Sequence, residues 1–225
     1  MILTNRLFTR KPASREAKSI YIFCEGLKRE VQYFQYFKEI DSRINIEIYP
    51  LSPNEDNSPL GLYKIAFDCL VKTVENPTPK YEFIAKDEVW IVLDNDPDKL
   101  ETRKSQIQSI REKCDSYGWK IAQSNPCFEV WLHNHLFIKL PNIIDIEKCK
   151  SWKTFISERI SGGFDSRRHP ILIEDAIKYS KASYTETENT PNVGSTQVYI
   201  LAEKIYELSK EQIDQIRNSI KSKTR

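Results

Sequence analysis

The sequence has no long apolar run, no paired-cysteine motif and no strong excess of charge of one sign. A membrane helix needs about 20 consecutive apolar residues, and no segment approaches that length. Met1–Arg6 also lack the apolar core and the small-residue cleavage site of a signal peptide. We therefore expect a cytoplasmic protein that does not enter a membrane.

The cysteines are five in number and widely scattered: Cys24, Cys69, Cys114, Cys127 and Cys149. Because none forms a C-x-x-C pair, neither a disulfide framework nor a zinc site is indicated. The net charge of +2 is too small to indicate nucleic-acid binding by itself, so the distribution of the charges matters more.

The most informative stretch is Val89–Asp98, in which an apolar run ends in acids at alternate positions: Asp94, Asp96 and Asp98. A short β-branched run is typical of a buried strand in a parallel sheet, and open α/β sheets bind ligands at the carboxyl ends of such strands. Crowded carboxylates repel each other unless a cation or a shared proton relieves them. The alternative is a polar turn in which Asp98 caps the next helix.

Strand and helix patterns alternate through four units. Strands are predicted at 20–24, 44–49, 89–94 and 119–123, and helices at 28–40, 60–75, 98–117 and 127–137. This alternation predicts an α/β fold with a mainly parallel four-stranded sheet flanked by helices. After Pro141 only helical spacing follows, at 148–160, 170–182 and 195–222. We expect a basic arm (1–19), an α/β domain (20–140) and a helical extension packed on it (141–225).

Acids follow the predicted strands. The first strand ends at Glu25, the third at Asp94 and Asp96, and the fourth leads to a helix that carries Glu129. Several carboxylates around one point favour a hard divalent cation such as Mg²⁺, which can meet a phosphate there. Glu30 lies in a first helical turn, where it either stabilises the helix dipole or adds a ligand.

Competing motifs can be tested by inspection. An EF-hand counted from Asp94 needs glycine at position six and glutamate at position twelve, and the chain has Lys99 and Ser105 there. A phosphatase with an aspartyl nucleophile also uses Asp-x-Asp, normally after the first strand, whereas here the motif follows the third. No glycine-rich nucleotide-binding motif is present.

Three segments together resemble one protein family: Cys24–Glu30, Asp94–Asp96 and Ser124–Leu132. They are similar to the RloB-like proteins, a family related to the abortive-infection protein AbiLii. The basic N-terminal segment and the stretch from Pro191 to Val198 are similar as well. Arg29 departs from the family pattern, in which a small hydroxyl residue usually precedes the second glutamate.

The resemblance implies a Toprim-like fold, a metal-binding α/β module with a glutamate after its first strand and Asp-x-Asp after a later one. It implies that Glu25, Asp94 and Asp96 are catalytic residues and metal ligands. Glu30 is then a further metal ligand and Glu129 a further catalytic candidate. The implied cofactor is Mg²⁺ or Mn²⁺.

The implied function is a nuclease that hydrolyses RNA, with tRNA among the candidates, or DNA in bacterial anti-phage defence. The resemblance also implies a partner ATPase encoded nearby and leaves room for an oligomer. A second hypothesis is a non-catalytic regulatory or sensor subunit that binds nucleic acid, a nucleotide or a partner in the same pocket. A phosphatase is the third.

Basic residues outside the acid-rich edge are candidates for phosphate contacts. Arg167, Arg168 and His169 lie in a glycine-containing loop, and Arg10 and Lys11 lie in the N-terminal arm. A solvated loop and a solvated tail are the alternatives. His133 and His135, two apart on a predicted helix, point in different directions and do not form a metal-binding pair.

Overall fold

A computed structural model describes residues 8–97 and 100–223. Its sheet contains β1 (Lys18–Cys24), β2 (Ile44–Ile48), β3 (Glu88–Asp94) and β4 (Lys120–Ser124). The order across the sheet is β2-β1-β3-β4, and all three neighbouring pairs are parallel. The predicted α/β class and the four-stranded parallel sheet are confirmed.

Seven α-helices occur in the described part of the chain. Four follow the strands: α1 (Arg29–Gln35), α2 (Pro59–Leu70), α3 (Leu100–Ser116) and α4 (Glu129–His133). Three more form the C-terminal part: α5 (Cys149–Arg159), α6 (Ile173–Ser183) and α7 (Val198–Lys223). None of these helices is long and apolar enough to cross a membrane.

Three helices are shorter than their apolar spacing predicts: α1, α4 and α2, which ends at Leu70 and not near residue 75. After α1 the backbone tightens into turns, in which the amide of each residue from Tyr36 to Lys38 bonds to the carbonyl three residues earlier. Glu39 then has a positive φ of 62°, which stops the helix. Helix α4 begins only at Glu129, so Pro126, which follows a cis peptide bond, does not open it as predicted.

A hairpin interrupts the C-terminal helices. It consists of β5 (Glu186–Thr187) and β6 (Thr190–Pro191), which pair antiparallel. Glu188 and Asn189 form the two-residue turn with φ of 49° and 61°, the left-handed values that tight hairpins require. The expectation of helices alone after Pro141 is therefore wrong. The hairpin was not predicted because its turn lacks the Asn-Gly or Asp-Gly sequence that normally marks such hairpins.

The sheet is covered on both faces, and the strand alternation divides the core in two. Ile20, Ile22 and Trp90 pack toward α1 and toward the C-terminal helices α5–α7. Phe23 and Ile91 belong to the other face, which packs on α2 and α3. Because helices cover both faces of the sheet, the side chains of the central strands are closed to solvent. The carboxyl edge of the sheet is therefore the accessible place for a site.

Candidate acid site at the carboxyl edge of the sheet

The acids that follow β1 and β3 lie side by side because these two strands are neighbours. In the parallel register Cys24 pairs with Val92, and the Glu25 amide continues the ladder by donating to the Val92 carbonyl at 3.1 Å. The Asp94 amide donates to Glu25 Oε2 at 3.2 Å. The structure therefore brings together Glu25 and Asp94, as the strand-end pattern predicts.

Arg103 on α3 neutralises Glu25. Its guanidinium contacts both carboxylate oxygens, with Nη1 on Oε2 and Nη2 donating to Oε1 at 2.6 Å. Nη1 also donates to the Asp94 carbonyl at 3.1 Å. The side chains of Arg103 and Glu25 are only 7% and 11% exposed, so this is a buried bidentate ion pair.

Asp94 is held by the backbone of the loop before α4. Its Oδ1 accepts a hydrogen bond from the Phe128 amide at 2.9 Å. Loss of solvation raises the pKa of Asp94 well above its usual range, and the charges of Glu30, Glu25 and Glu129 raise it further. The carboxyl group therefore lies among other acids with too little positive charge to balance them.

Glu30 reaches back from α1 over the loop that follows β1. A methyl group on Gly26 would stand 2.0 Å from a Glu30 carboxylate oxygen, so the carboxylate rests directly on the glycine backbone. Burial, followed by the charges of Glu129 and Glu25, raises the pKa of Glu30 to about 7. The positive charge of Lys153 opposes this shift.

Glu129 is buried at the start of α4, with 3% of its surface exposed. Burial lowers the pKa of Lys153, but the neighbouring acidic groups, Glu129 first and then Cys127, Cys149 and Asp94, together outweigh burial, and the net shift is upward. Lys153 on α5 is thus an electrostatic partner of Glu129. We call Glu25, Glu30, Asp94 and Glu129 the acid cluster; its cations are Arg103 and Lys153.

Asp96 lies near Arg103, whose pKa is lowered by burial but raised on balance by neighbouring acids, Asp96 among them. It is half-buried and lines a neighbouring cavity together with Asn95 and Arg103. Strand β3 ends at Asp94, so the chain has left the sheet before Asp96 and the strand alternation no longer fixes its direction. Asp98, the predicted helix cap, lies outside the described residues.

The predicted phosphate-contacting residues are engaged elsewhere. Arg167 makes a two-pronged ion pair with Asp165 at 2.9 and 3.0 Å, and the Asp165 amide donates to His169 Nδ1. Arg168 reaches Asp165 at 3.8 Å. These three side chains surround Asp165, and no described contact joins them to the acid cluster.

The described part of the N-terminal arm runs along the opposite edge of the sheet. Arg10 pairs with Glu39 at 3.3 Å, and the Lys11 amide donates to the Glu39 carbonyl. Glu39 belongs to the connection that enters β2, whose first residue pairs with the beginning of β1. Arg10 and Lys11 therefore lie toward the amino ends of the strands, away from Glu25.

His133, the last residue of α4, and His135, in the turn after it, are both buried in the core. His135 Nδ1 lies 3.0 Å from the Trp131 carbonyl, and its Nε2 lies 3.1 Å from the Tyr33 hydroxyl. Burial lowers the pKa of His135 to about 3 and also lowers the pKa of His133. Burial therefore favours the neutral form of both rings.

The acid cluster has the donor chemistry of a Mg²⁺ or Mn²⁺ site, since hard cations take carboxylate oxygens. Its side chains, however, are not arranged as a formed metal site: across residues 8–97 and 100–223, no three His, Cys, Asp or Glu residues are grouped so that they could hold an ion. Both oxygens of Glu25 face Arg103 instead. Oε2 accepts from both Arg103 and the Asp94 amide, whereas among the described residues Oε1 accepts from Arg103 alone, so an ion would meet Glu25 at Oε1 or after displacing Arg103.

Sequence reasoning missed both cations of the site and one cysteine contact. Arg103 and Lys153 occur in ordinary charged helices, and no local pattern distinguishes them from solvated lysines and arginines. Cys149 donates its thiol hydrogen to the Pro126 carbonyl, and its interaction with Cys127, followed by burial, raises the pKa of Cys127 far above its usual range. Cys127 and Cys149 are 22 positions apart, so no short motif indicates the contact.

Comparison with known proteins gives one result. The family model described as RloB-like protein matches residues 20–205, which include every member of the acid cluster and the sheet except for the first two residues of β1. No curated protein and no solved structure matches the chain.

Proposed function

Because the chain belongs to the RloB-like family, we propose that it is a Mg²⁺- or Mn²⁺-dependent nuclease with a Toprim-like α/β domain. The observation that carries the proposal is the hydrogen bond from the Asp94 amide to Glu25 Oε2, at 3.2 Å. It joins the acids of two adjacent strand ends, and two further buried acids, Glu30 and Glu129, act on the same point electrostatically. Such a concentration of carboxylates suits a divalent cation and a phosphate.

In the proposed site the residues have separate roles. Glu25 and Asp94 hold the metal with their carboxylates, with Glu30 and Glu129 as the additional oxygen donors. When bound, the ion lowers the pKa of water and neutralises charge on the phosphate. Glu30, with a pKa of about 7, holds or releases a proton near neutral pH.

Arg103 gives the proposed site a resting state. While Arg103 pairs with Glu25, it neutralises the carboxylate and contacts both of its oxygens. A guanidinium also binds phosphate in a bidentate manner. A phosphodiester that binds the Arg103 guanidinium would therefore free the Glu25 carboxylate from its ion pair when the substrate arrives.

The test is a cleavage assay with Mn²⁺ on pooled tRNA, single-stranded RNA and DNA. The parent protein should cut one of them. Loss of a hydrogen-bond partner of a metal ligand typically lowers metal affinity or activity about 10–100-fold. Because Asp94 is proposed as a ligand itself, Asp94→Asn should lower the rate at least about a hundredfold. Asparagine keeps an oxygen to accept from the Phe128 amide, which separates loss of charge from loss of the fold.

Asp115→Asn on the exposed surface of α3 is the matched control, and its rate should stay within about twofold of the parent. An Asp94→Asn protein that cuts as fast as the parent would sink the proposal.

A second candidate is favoured by the Arg103–Glu25 ion pair itself. A carboxylate neutralised in this way suits a non-catalytic sensor or regulatory subunit that binds a partner or nucleotide. We propose that either form acts in anti-phage defence beside a partner ATPase, as the family resemblance implies. Addition of Mn²⁺ discriminates between them: a nuclease should melt at a higher temperature with the ion, whereas a sensor subunit should show no shift and still bind the ATPase.

A further inference from the structure

A cavity of about 360 Å³ adjoins the acid cluster, between α3, the end of β3 and the β5–β6 hairpin. It lies at the small end of the range of ligand sites, about 300–1,000 Å³. Its wall is rich in amides and cations, among them Asn95, Gln123, Lys104 and Arg111. We call it the amide pocket.

The wall of the amide pocket is built by hydrogen bonds between distant parts of the chain. Gln123 Nε2 donates to Asn95 Oδ1 at 2.9 Å, and Arg111 donates to Gln123 Oε1 at 3.2 Å. Arg111 also holds the hairpin turn by donating to the Asn189 carbonyl at 3.2 Å. Asn125 Nδ2 fixes the other side of the hairpin at the Pro191 carbonyl, 2.8 Å away.

One polar group in this wall has a hydrogen-bonding capacity that the described residues leave unused. Asn95 is 4% exposed, and its Nδ2 has no hydrogen-bond partner among them, although its Oδ1 accepts from Gln123. Buried amide groups are normally satisfied, so an unpaired one requires an explanation. An acceptor on a ligand in the amide pocket would supply the partner.

We propose that the amide pocket binds one nucleotide unit, a nucleobase with its phosphate. Amide side chains carry both donors and acceptors, which is what recognition of a base edge needs. The side chains of Ile107 and Pro191 also line the pocket and offer apolar contact to the flat base. Lys104 and Arg111 offer positive charge to the phosphate.

The pocket and the acid cluster share a wall. Arg103 lines the pocket and also pairs with Glu25, and Asn95 directly follows Asp94. A nucleotide in the pocket therefore has its phosphate within reach of the residues that hold the acid cluster. In this respect the inference rests on the proposed function and specifies it: one unpaired base of the substrate is held beside the scissile phosphate.

The pocket is also limited in size. Arg103 is paired with Glu25, so Lys104 and Arg111 are the cations of the wall that are available to a phosphate, beside the carboxylates of Asp96 and Glu188. A duplex cannot enter a space of about 360 Å³, so the unit must be single-stranded or extruded from a helix.

The experiment measures binding by calorimetry in EDTA, where no metal-dependent cleavage occurs. The probes are AMP, CMP, GMP and UMP, single-stranded RNA and DNA tetranucleotides, and inorganic phosphate. At least one nucleotide or tetranucleotide should bind at least tenfold more tightly than phosphate. Preference for a tetranucleotide identifies a strand as the ligand, and preference for a mononucleotide identifies a free nucleotide.

Two variants locate the binding. Lys104→Glu, on an exposed part of α3 that lines the pocket, should weaken binding at least fivefold, whereas Lys113→Glu, on the same helix outside the pocket, should change it less than twofold. Asn95→Ala should also weaken binding; because Asn95 is buried, its fold is checked by circular dichroism. Absence of binding at millimolar nucleotide and oligonucleotide, binding no tighter than that of phosphate, or equal effects of the two lysine variants would overturn the inference.

The two proposals can fail separately. Binding in EDTA without any cleavage in Mn²⁺ would contradict the nuclease and leave the pocket assigned. Cleavage that is unaffected by Lys104→Glu, together with no measurable nucleotide binding, would contradict the proposal for the amide pocket and still support the nuclease.

Discussion

Arg103 donates to both carboxylate oxygens of Glu25, and the pair is almost wholly removed from solvent. A buried ion pair contributes little compared with an apolar pair of the same shape, because both charges have lost their hydration. The cost of breaking it is much larger, since the remaining charge is left buried without a partner. The pair is thus a constraint on Glu25 more than a source of stability.

Removal of the guanidinium should therefore destabilise the protein strongly. Arg103→Met should lower the free energy of unfolding by about 3–5 kcal/mol, and Glu25→Gln in the same chain should recover part of this loss. Urea unfolding at pH 8 measures both. Arg10→Met is the control, because Arg10 is 52% exposed in its pair with Glu39 and such surface pairs contribute about 0–1 kcal/mol. Equal losses for Arg103→Met and Arg10→Met would show that solvent reaches Glu25.

The protonation of Glu30 should make stability depend on pH. Its folded-state pKa is about 7, above the ordinary value of 4.5, so the folded protein holds a proton that the unfolded chain releases as the pH rises. Stability should then fall between about pH 4.5 and 7, by about 3 kcal/mol in all for this group. In EDTA, Glu30→Gln should reduce that fall by about this amount. Unfolding free energies at pH 4.5, 6 and 8 measure the effect.

Glu207→Gln is the control for this pH dependence. The Glu207 side chain is 72% exposed on α7, so its variant should follow the parent curve. A Glu30→Gln curve parallel to that of the parent would mean that Glu30 ionises normally in the folded protein.

The strand ends of the site were predictable, and the residues that control them were not. An apolar run followed by an acid is a local signal, and adjacency of β1 and β3 brings Glu25 and Asp94 to one edge. Arg103 is 78 residues from Glu25, and its pairing depends on where α3 packs, which no local pattern contains. The amide pocket is beyond local patterns for the same reason, because its outer wall is a hairpin from the C-terminal part of the chain.

Gly26 is needed for the position of the Glu30 carboxylate. An added methyl group would stand 2.0 Å from that carboxylate, so Gly26→Ala must displace it. We expect a lower melting temperature and a changed pH dependence of stability. In a Glu30→Ala background the collision disappears, so Gly26→Ala should cost less there, with a coupling of about 0.5–3 kcal/mol.

Gly162→Ala provides the contrast for Gly26→Ala. Its added methyl group would meet no atom within 4 Å, but its φ of +78° is unfavourable for alanine. Its cost therefore comes from the backbone alone and should be the same with and without Glu30→Ala. Additive effects of Gly26→Ala and Glu30→Ala would contradict the contact between these two residues.

His135 should remain neutral throughout the ordinary pH range. Because a carbonyl can only accept, the proton lies on Nδ1 and is donated to Trp131, so Nε2 accepts from the Tyr33 hydroxyl. With a folded-state pKa of about 3, below the ordinary 6.5, the folded protein binds no proton where the unfolded chain does. This group's contribution to stability is complete above about pH 6.5 and is lost as the pH falls toward 3.

Tyr33→Phe tests this arrangement, since it leaves Nε2 buried without a donor. The free energy of unfolding should fall by about 1–3 kcal/mol at pH 8, whereas Tyr117→Phe, at a tyrosine that is 42% exposed, should change it by less than about 0.5 kcal/mol. In the parent, the ring proton shifts of His135 measured by NMR should stay constant from pH 8 to 5. A titration with a midpoint near 6.5 would show that water reaches the ring, and the hydrogen bond to Tyr33 would then be too weak to matter for stability.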